Sequence, residues 1–185
     1  NRGDGADVVN ASSAKDNTLS LGKGITYAEL LFKKTGNDLV FATGANDQVT
    51  LKDWYANAGN HSIANLQMIL DGGADYNAAS TNKLHNKKIA QFNYDGLVSK
   101  FDQARVANPA LTSWALSSSL LEFYLAGSDT AAMGGDLAYQ YAKTGNLSAF
   151  SVAPVQALLA SGQFGVAAQN LQALAALQDG TARLL

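Results

Sequence analysis

Gly3, Gly5 and Asp7, in the stretch "RGDGADVVN", have the types and spacing of a turn that could surround a hard cation. Glycine lets backbone carbonyls approach one another at φ values costly for other residues, and a carboxylate supplies charge. The aspartates then recur. Asp7 and Asp16 are nine residues apart, and so are Asp38 and Asp47. Val9, Val40 and Val49 each follow an aspartate by two positions. Turn, aspartate, one residue, apolar residue is the period of a parallel β-roll, in which each nonapeptide gives one turn and one short strand. Asx turns also explain Asp38 and Asp47, so that pair does not need a metal. A calcium site of six to eight oxygens needs more than Asp7; Asp16 or a preceding coil would have to contribute.

Other chemistry is sparse. There is no cysteine, so thiol catalysis and cysteine-based metal sites are excluded. The two histidines, His61 and His85, form no HxxxH or HExxH pattern and read as structural. Glu29 and Glu122 are the only glutamates, and no carboxylate pair for glycoside hydrolysis stands out. No GxGxxG, phosphate loop or serine elbow is present. The Arg2-Gly3-Asp4 triplet belongs to the turn and not to an adhesion signal. Trp54, Tyr55 and Trp114 read as packing residues, with sugar stacking as the sharper alternative. Lys83, Lys87 and Lys88 read as a solvated segment. No enzyme is indicated.

The chain has 185 residues, 47% apolar, 15% charged, with a formal net charge of -2. Such a balance supplies no basic field for duplex nucleic acid. No run of eighteen apolar residues marks a membrane span, and no leader is visible. A first residue that is Asn reads as a cut or processed chain.

The elements change character near residue 75. Before it, "TLSL", "ELLF", "DLVFAT" and "QVTLKDWY" are short β-like runs, the last three separated by "KTGND" and "TGAND". They predict an antiparallel meander over 29–55. Both faces of "DLVFAT" are apolar, so that strand should be covered on both sides. Residues 61–73 suit a strand or a short helix; a strand ending at Gly72-Gly73 is preferred. Residues 74–88 read as a polar linker. After it, Leu97, Val98, Phe101 and Ala104 form one helical stripe within 89–107, stopped at Asn108-Pro109. Helices are also expected at 112–127, at 128–145 with Ser or Asp caps and a stop at Gly145, and in "SVAPVQALLAS" and "FGVAAQNLQALAAL".

"GDGADVV" resembles a degenerate unit of the haemolysin-type calcium-binding repeat of secreted RTX proteins. "LSLGKGI", "TGNDLVF", "DQVTLKDWY" and "LQMILDG" resemble the module that follows such repeats. "LAGSDTAAMGGDLAYQY" and "FGVAAQNLQALAALQDGTARL" are similar to the C-terminal region of large RTX proteins. The resemblance implies calcium-coupled folding outside the cell and export by a type I secretion apparatus, with an uncleaved signal in the last residues. It maps a metal turn onto Gly3, Gly5 and Asp7, and less well onto Asp16 or Asn17, where "SSAK" replaces the glycines. Loss of those glycines suggests an array that is ending and being capped.

The expected fold is α+β: residues 1–73 a β-roll end with an antiparallel β cap, 74–88 a linker, and 89–185 a small α-helical unit carrying the export signal. The expected function is non-catalytic: the calcium-associated folding and export region of a secreted or cell-surface RTX protein such as an adhesin. Its partners would be the export machinery and upstream repeats of the same protein. An accessory module of a secreted hydrolase and a self-associating surface module are the alternatives.

Overall fold

Loop chemistry sets the first sheet. In the computed structural model, which describes residues 1–148, strands β3 (Leu31–Thr35) and β4 (Asp38–Ala42) form a hairpin. Gly36 supplies the left-handed backbone of the two-residue loop, at φ +59°. Strand β5 (Gln48–Leu51) adds antiparallel to β4, giving the meander foreseen over 29–55. Leu39, Val40, Phe41 and Ala42 are all buried, as expected for a strand covered on both faces.

Strand β1 (Ala6–Val9) lies parallel to β5, with Asp7 opposite Val49 and Val9 opposite Leu51. Strand β2 (Asn17–Leu21) lies parallel to β6 (Ile63–Ile69), the strand preferred for residues 61–73. Strands β7 (Ile89–Asn93) and β9 (Tyr124–Ser128) extend that second sheet, and β8 (Ser113–Ala115) joins β3. The orders are β1-β5-β4-β3-β8 and β2-β6-β7-β9: two open sheets in a mixed α/β fold, with no closed barrel among the described residues.

Helix α1 (Tyr94–Ala107) begins where Asn93 accepts the Gly96 N–H at 2.9 Å, capping the first turn. Leu97, Val98 and Phe101 of the stripe read from sequence are buried, and Ala104, its fourth member, is half-buried. The buried side chains join an aromatic core in which Phe32 meets Phe41 at 5.1 Å and Tyr94 at 5.4 Å between ring centres. Such pairs each contribute about 0.5–1.5 kcal/mol beyond area burial.

The helical unit expected over 89–185 needs correction. Residues 89–93 are a strand paired on both sides, because Ile89, Ala90 and Phe92 are buried between β6 and β9. Residues 112–127 are not a helix: they form β8, a turn region and β9. Trp114 sits opposite Phe32 across the β3–β8 pair, with the rings stacked at 6.3 Å. Leu116 and Leu120 are both buried, and the Leu120 N–H donates to the Leu116 carbonyl at 3.1 Å. One turn therefore meets the i, i+4 pattern without a helix. Helix α2 (Gly135–Thr144) starts later than expected, from Gly134 at φ +82°, and stops at Gly145 as expected. The helices expected after it, and the tail, lie outside the described residues.

Residues 74–88, expected as a linker, connect neighbouring strands of one sheet. They are irregular but anchored: Tyr27 donates to the Leu84 carbonyl at 2.7 Å, and the His85 ring nitrogen Nδ1 lies 2.7 Å from the Asp75 carbonyl.

Candidate functional site

The glycine-rich turn ahead of β1 faces a carboxylate. Gly3 and Gly5 both have left-handed backbones, at φ +88° and +87°, with open space where a Cβ would sit. This conformation aims their N–H groups at Asp47. The Gly3 N–H donates to Asp47 Oδ2 at 2.9 Å and the Gly5 N–H to Oδ1 at 2.9 Å. Backbone N–H groups that converge in this way favour an anion. These two bonds, with the nearby N-terminal amine and Arg2, hold the Asp47 carboxyl below its ordinary range. The Gly5 carbonyl accepts from the Gln48 N–H at 3.0 Å, and the Val9 carbonyl from the Lys52 N–H at 2.9 Å.

Arg2 locks the same turn from outside. Its guanidinium donates to both Glu29 oxygens, at 2.7 and 2.6 Å, and to the Gly24 carbonyl at 2.6 Å. Glu29 also accepts from the Thr26 N–H at 2.8 Å. The Arg2 contact first, then the Thr26 bonds, lower the Glu29 carboxyl to about 2. Asp4 pairs with the N-terminal amine at 2.8 Å. The Arg2 end of the Arg-Gly-Asp triplet is thus committed within the molecule.

The turn between β1 and β2 carries a cation of its own. The Lys15 ammonium donates to the Ser12 carbonyl at 3.1 Å and also to the Gly59 carbonyl. Asn17 Nδ2 donates to the carbonyls of Ala14 at 3.0 Å and Ser62 at 2.7 Å. Asp16 is exposed beside this turn, and Asp7 is exposed on β1.

The four residues expected to bind metal are therefore spread along one strand–turn–strand segment. Gly3 and Gly5 lie on its first turn, Asp7 on its first strand and Asp16 on its second turn. No group of three or more His, Asp or Glu side chains placed to hold a metal ion occurs among the described residues. Tested against calcium, the first turn offers N–H donors, which fit an anion. The second offers carbonyls already engaged by Lys15 and Asn17. Asp7 on the edge strand and the exposed Asp16 remain as ligand candidates, and a full calcium shell would need further oxygens from elsewhere.

Asp47 was visible in the nine-residue step, but its partnership with a turn 42 residues away was not. Lys15 carried no signal beyond interrupting the repeat. Neither Asp38 nor Asp47 makes the local Asx turn read from sequence: Asp38 accepts the Asp53 N–H at 2.7 Å and Lys52 at 3.2 Å, 15 and 14 residues away.

The remaining candidates are structural. Trp54 is 1% exposed and stacked on His61 at 4.3 Å, so its ring presents no sugar-stacking platform. Lys83 lies over the Tyr124 ring, Lys87 pairs with Asp129 at 2.5 Å and Lys88 approaches Asp71 at 3.9 Å. A cleft of about 510 Å³ beside α1 is bordered by His61, Asp95, Ser99 and Asp102. Asp102 accepts from the Tyr55 hydroxyl at 3.0 Å. No helix among the described residues is long and apolar enough to cross a membrane. Compared with protein-family models, curated proteins and solved structures, the chain gives no significant match.

Proposed function

We propose that this chain is a non-catalytic end module of a parallel β-roll, serving as the calcium-associated folding and type I export region of a large secreted or cell-surface RTX-type protein such as an adhesin. One observation carries the reading. The consecutive strands β1 and β2 lie at the edges of the two sheets, parallel to β5 and β6, which are themselves consecutive. One strand–turn–strand rung is thus laid on another, as in a roll. The remaining strands pair antiparallel, which suits an end piece.

The outer side of this rung carries the implication for partners. An edge strand has unpaired backbone groups that can template another strand. Ala6, Asp7 and Val8 are exposed there, Val8 at 63%. A preceding repeat laid on this edge would put its turn beside Asp7, and calcium belongs to that outer junction. The same exposed edge also suits a second copy of the chain. Sizing the protein over a concentration series distinguishes self-association from a monomer awaiting an upstream rung.

The export half of the proposal rests on sequence resemblance in residues beyond 148. Its test is secretion of a passenger fused ahead of the chain through a type I apparatus. Removal of residues 149–185 is expected to abolish secretion; normal secretion of the truncated fusion would contradict the assignment.

A further inference from the structure

Both turns of the first rung are closed by side-chain charges. In the first, two glycine N–H groups converge on the Asp47 carboxylate, both at 2.9 Å. Two of its carbonyl oxygens are occupied as well: that of Asn1 accepts from the Asp4 N–H at 3.2 Å, and that of Gly5 from the Gln48 N–H at 3.0 Å. In the second turn, the Ser12 carbonyl receives the Lys15 ammonium at 3.1 Å, and the Ala14 carbonyl receives Asn17 Nδ2 at 3.0 Å. The same ammonium bridges to the Gly59 carbonyl, in the loop that leads into β6.

We infer that this rung is self-ligated: Asp47 and Lys15 do at its two turns what a calcium ion would do in a metal-bound roll, so its attachment to β5 and β6 is indifferent to calcium. The comparison with a metal-bound roll rests on the function proposed above, whereas the closure itself does not. The chemistry is complementary at each end. Backbone N–H groups repel a cation and favour an anion, and Asp47 supplies that anion from β5's own loop. Carbonyl oxygens favour a cation, and Lys15 supplies a monovalent one on a flexible stem. A divalent ion entering the second turn would have to displace the ammonium and break the Asn17 bonds. At the first turn it would meet donors.

The substitution "SSAK" for glycine-rich repeat residues then has a physical reason. Once Lys15 fills the turn with its ammonium, backbone oxygens need not crowd together, and the glycines that permit such crowding are dispensable. Arg2 strengthens the first turn in the same manner, joining it to Glu29 and to the Gly24 carbonyl.

The test is amide hydrogen exchange of the 185-residue chain, in excess chelator and in millimolar calcium chloride, read over residues 6–21. The unaltered protein is expected to give the same protection in both. Asp47→Asn is expected to speed exchange at β1 by about tenfold or more, because charge-assisted bonds to a carboxylate are lost. Lys15→Met, which keeps an apolar stem and removes the charge, is expected to speed exchange at residues 12–19 by a smaller factor. Calcium restores neither. Slower exchange over 6–21 in calcium for the unaltered protein, or calcium rescue of either variant, would overturn the inference. Because this experiment concerns only the inner junction, its failure leaves the outer edge to be judged separately.

Discussion

Asp47 and Gly5 are joined by a 2.9 Å hydrogen bond across 42 residues of sequence, and that bond ties the first turn of the chain to the loop before β5. It holds the glycine segment at the start of the strand that pairs parallel with β5. The chain can therefore be perturbed at a single carboxylate with a consequence at a distant strand.

Acid should loosen this rung before it affects the core. The Glu29 carboxyl is lowered to about 2 from an ordinary 4.5, chiefly by Arg2, and Asp47 is lowered by Gly3 and Gly5. A carboxyl lowered in the folded state contributes stability above its unfolded value and loses it as pH falls through the folded one. For Glu29 that window runs from 4.5 down to about 2. Exchange at residues 2–9 should rise through this window, while α1 stays protected. Arg2 and Glu29 are partly exposed, so salt should reduce the effect. Equal loss of protection in both regions would contradict this assignment.

Asp136 titrates in the opposite sense. Its residue is 6% exposed, and burial alone raises the carboxyl to about 6 from 3.8. A raised carboxyl gives stability that is fully present below 3.8 and is lost as pH rises through about 6. Asp136→Asn is expected to stabilise the protein by about 1–2 kcal/mol at neutral pH. The difference should vanish in acid. Melting curves of both proteins across that range provide the check, and a pH-independent difference would exclude burial of the charge as its cause.

Tyr94 separates ring from hydroxyl. The side chain is fully buried in the aromatic core, and its hydroxyl has no hydrogen-bond partner among the described residues. Tyr94→Phe is expected to be neutral or to stabilise by up to about 1 kcal/mol, since an unsatisfied polar group is removed. Tyr94→Ala is expected to cost about 3–5 kcal/mol through the cavity it leaves. Chemical denaturation of the two variants measures both; a large loss for Tyr94→Phe would reveal a partner for the hydroxyl.

Gly22 fixes how close α2 comes to β2. A Cβ there would overlap the Ala142 carbonyl, which also accepts the Lys23 N–H. Gly22→Ala is expected to detach α2 at a cost of about 1–3 kcal/mol. Loss of exchange protection confined to residues 135–144 and the adjoining end of β2 would confirm the contact. Unchanged protection there would show that the backbones separate without consequence.

The legible parts of the fold were the local ones. Gly36 and Asn37 announced the β3–β4 hairpin, and the Leu97–Val98–Phe101 stripe announced α1, because turn chemistry and helical period act within a few residues. Residues 112–127 were misread because Leu116 and Leu120 can meet across one turn as well as along a helix. Trp114 was committed instead to Phe32, a partner far away in sequence. The parallel pairing of β1 with β5 follows the nine-residue pattern only loosely. The anchoring of the β1–β2 segment by Asp47 and Lys15 depends on contacts 42 and 44 residues apart, which no local period can display.

The outer edge of β1 and β2 decides the main functional reading. Calcium-binding nonapeptide rungs should be joined ahead of Asn1, and the extended protein compared with the original by circular dichroism and thermal melting, with calcium and with chelator. The expected result is calcium-dependent β-structure in the added rungs and a higher melting temperature for the whole, with both effects weakened by Asp7→Asn. Added rungs that stay unstructured in calcium, leaving the melting temperature unchanged, would contradict the proposal that this chain ends a parallel roll.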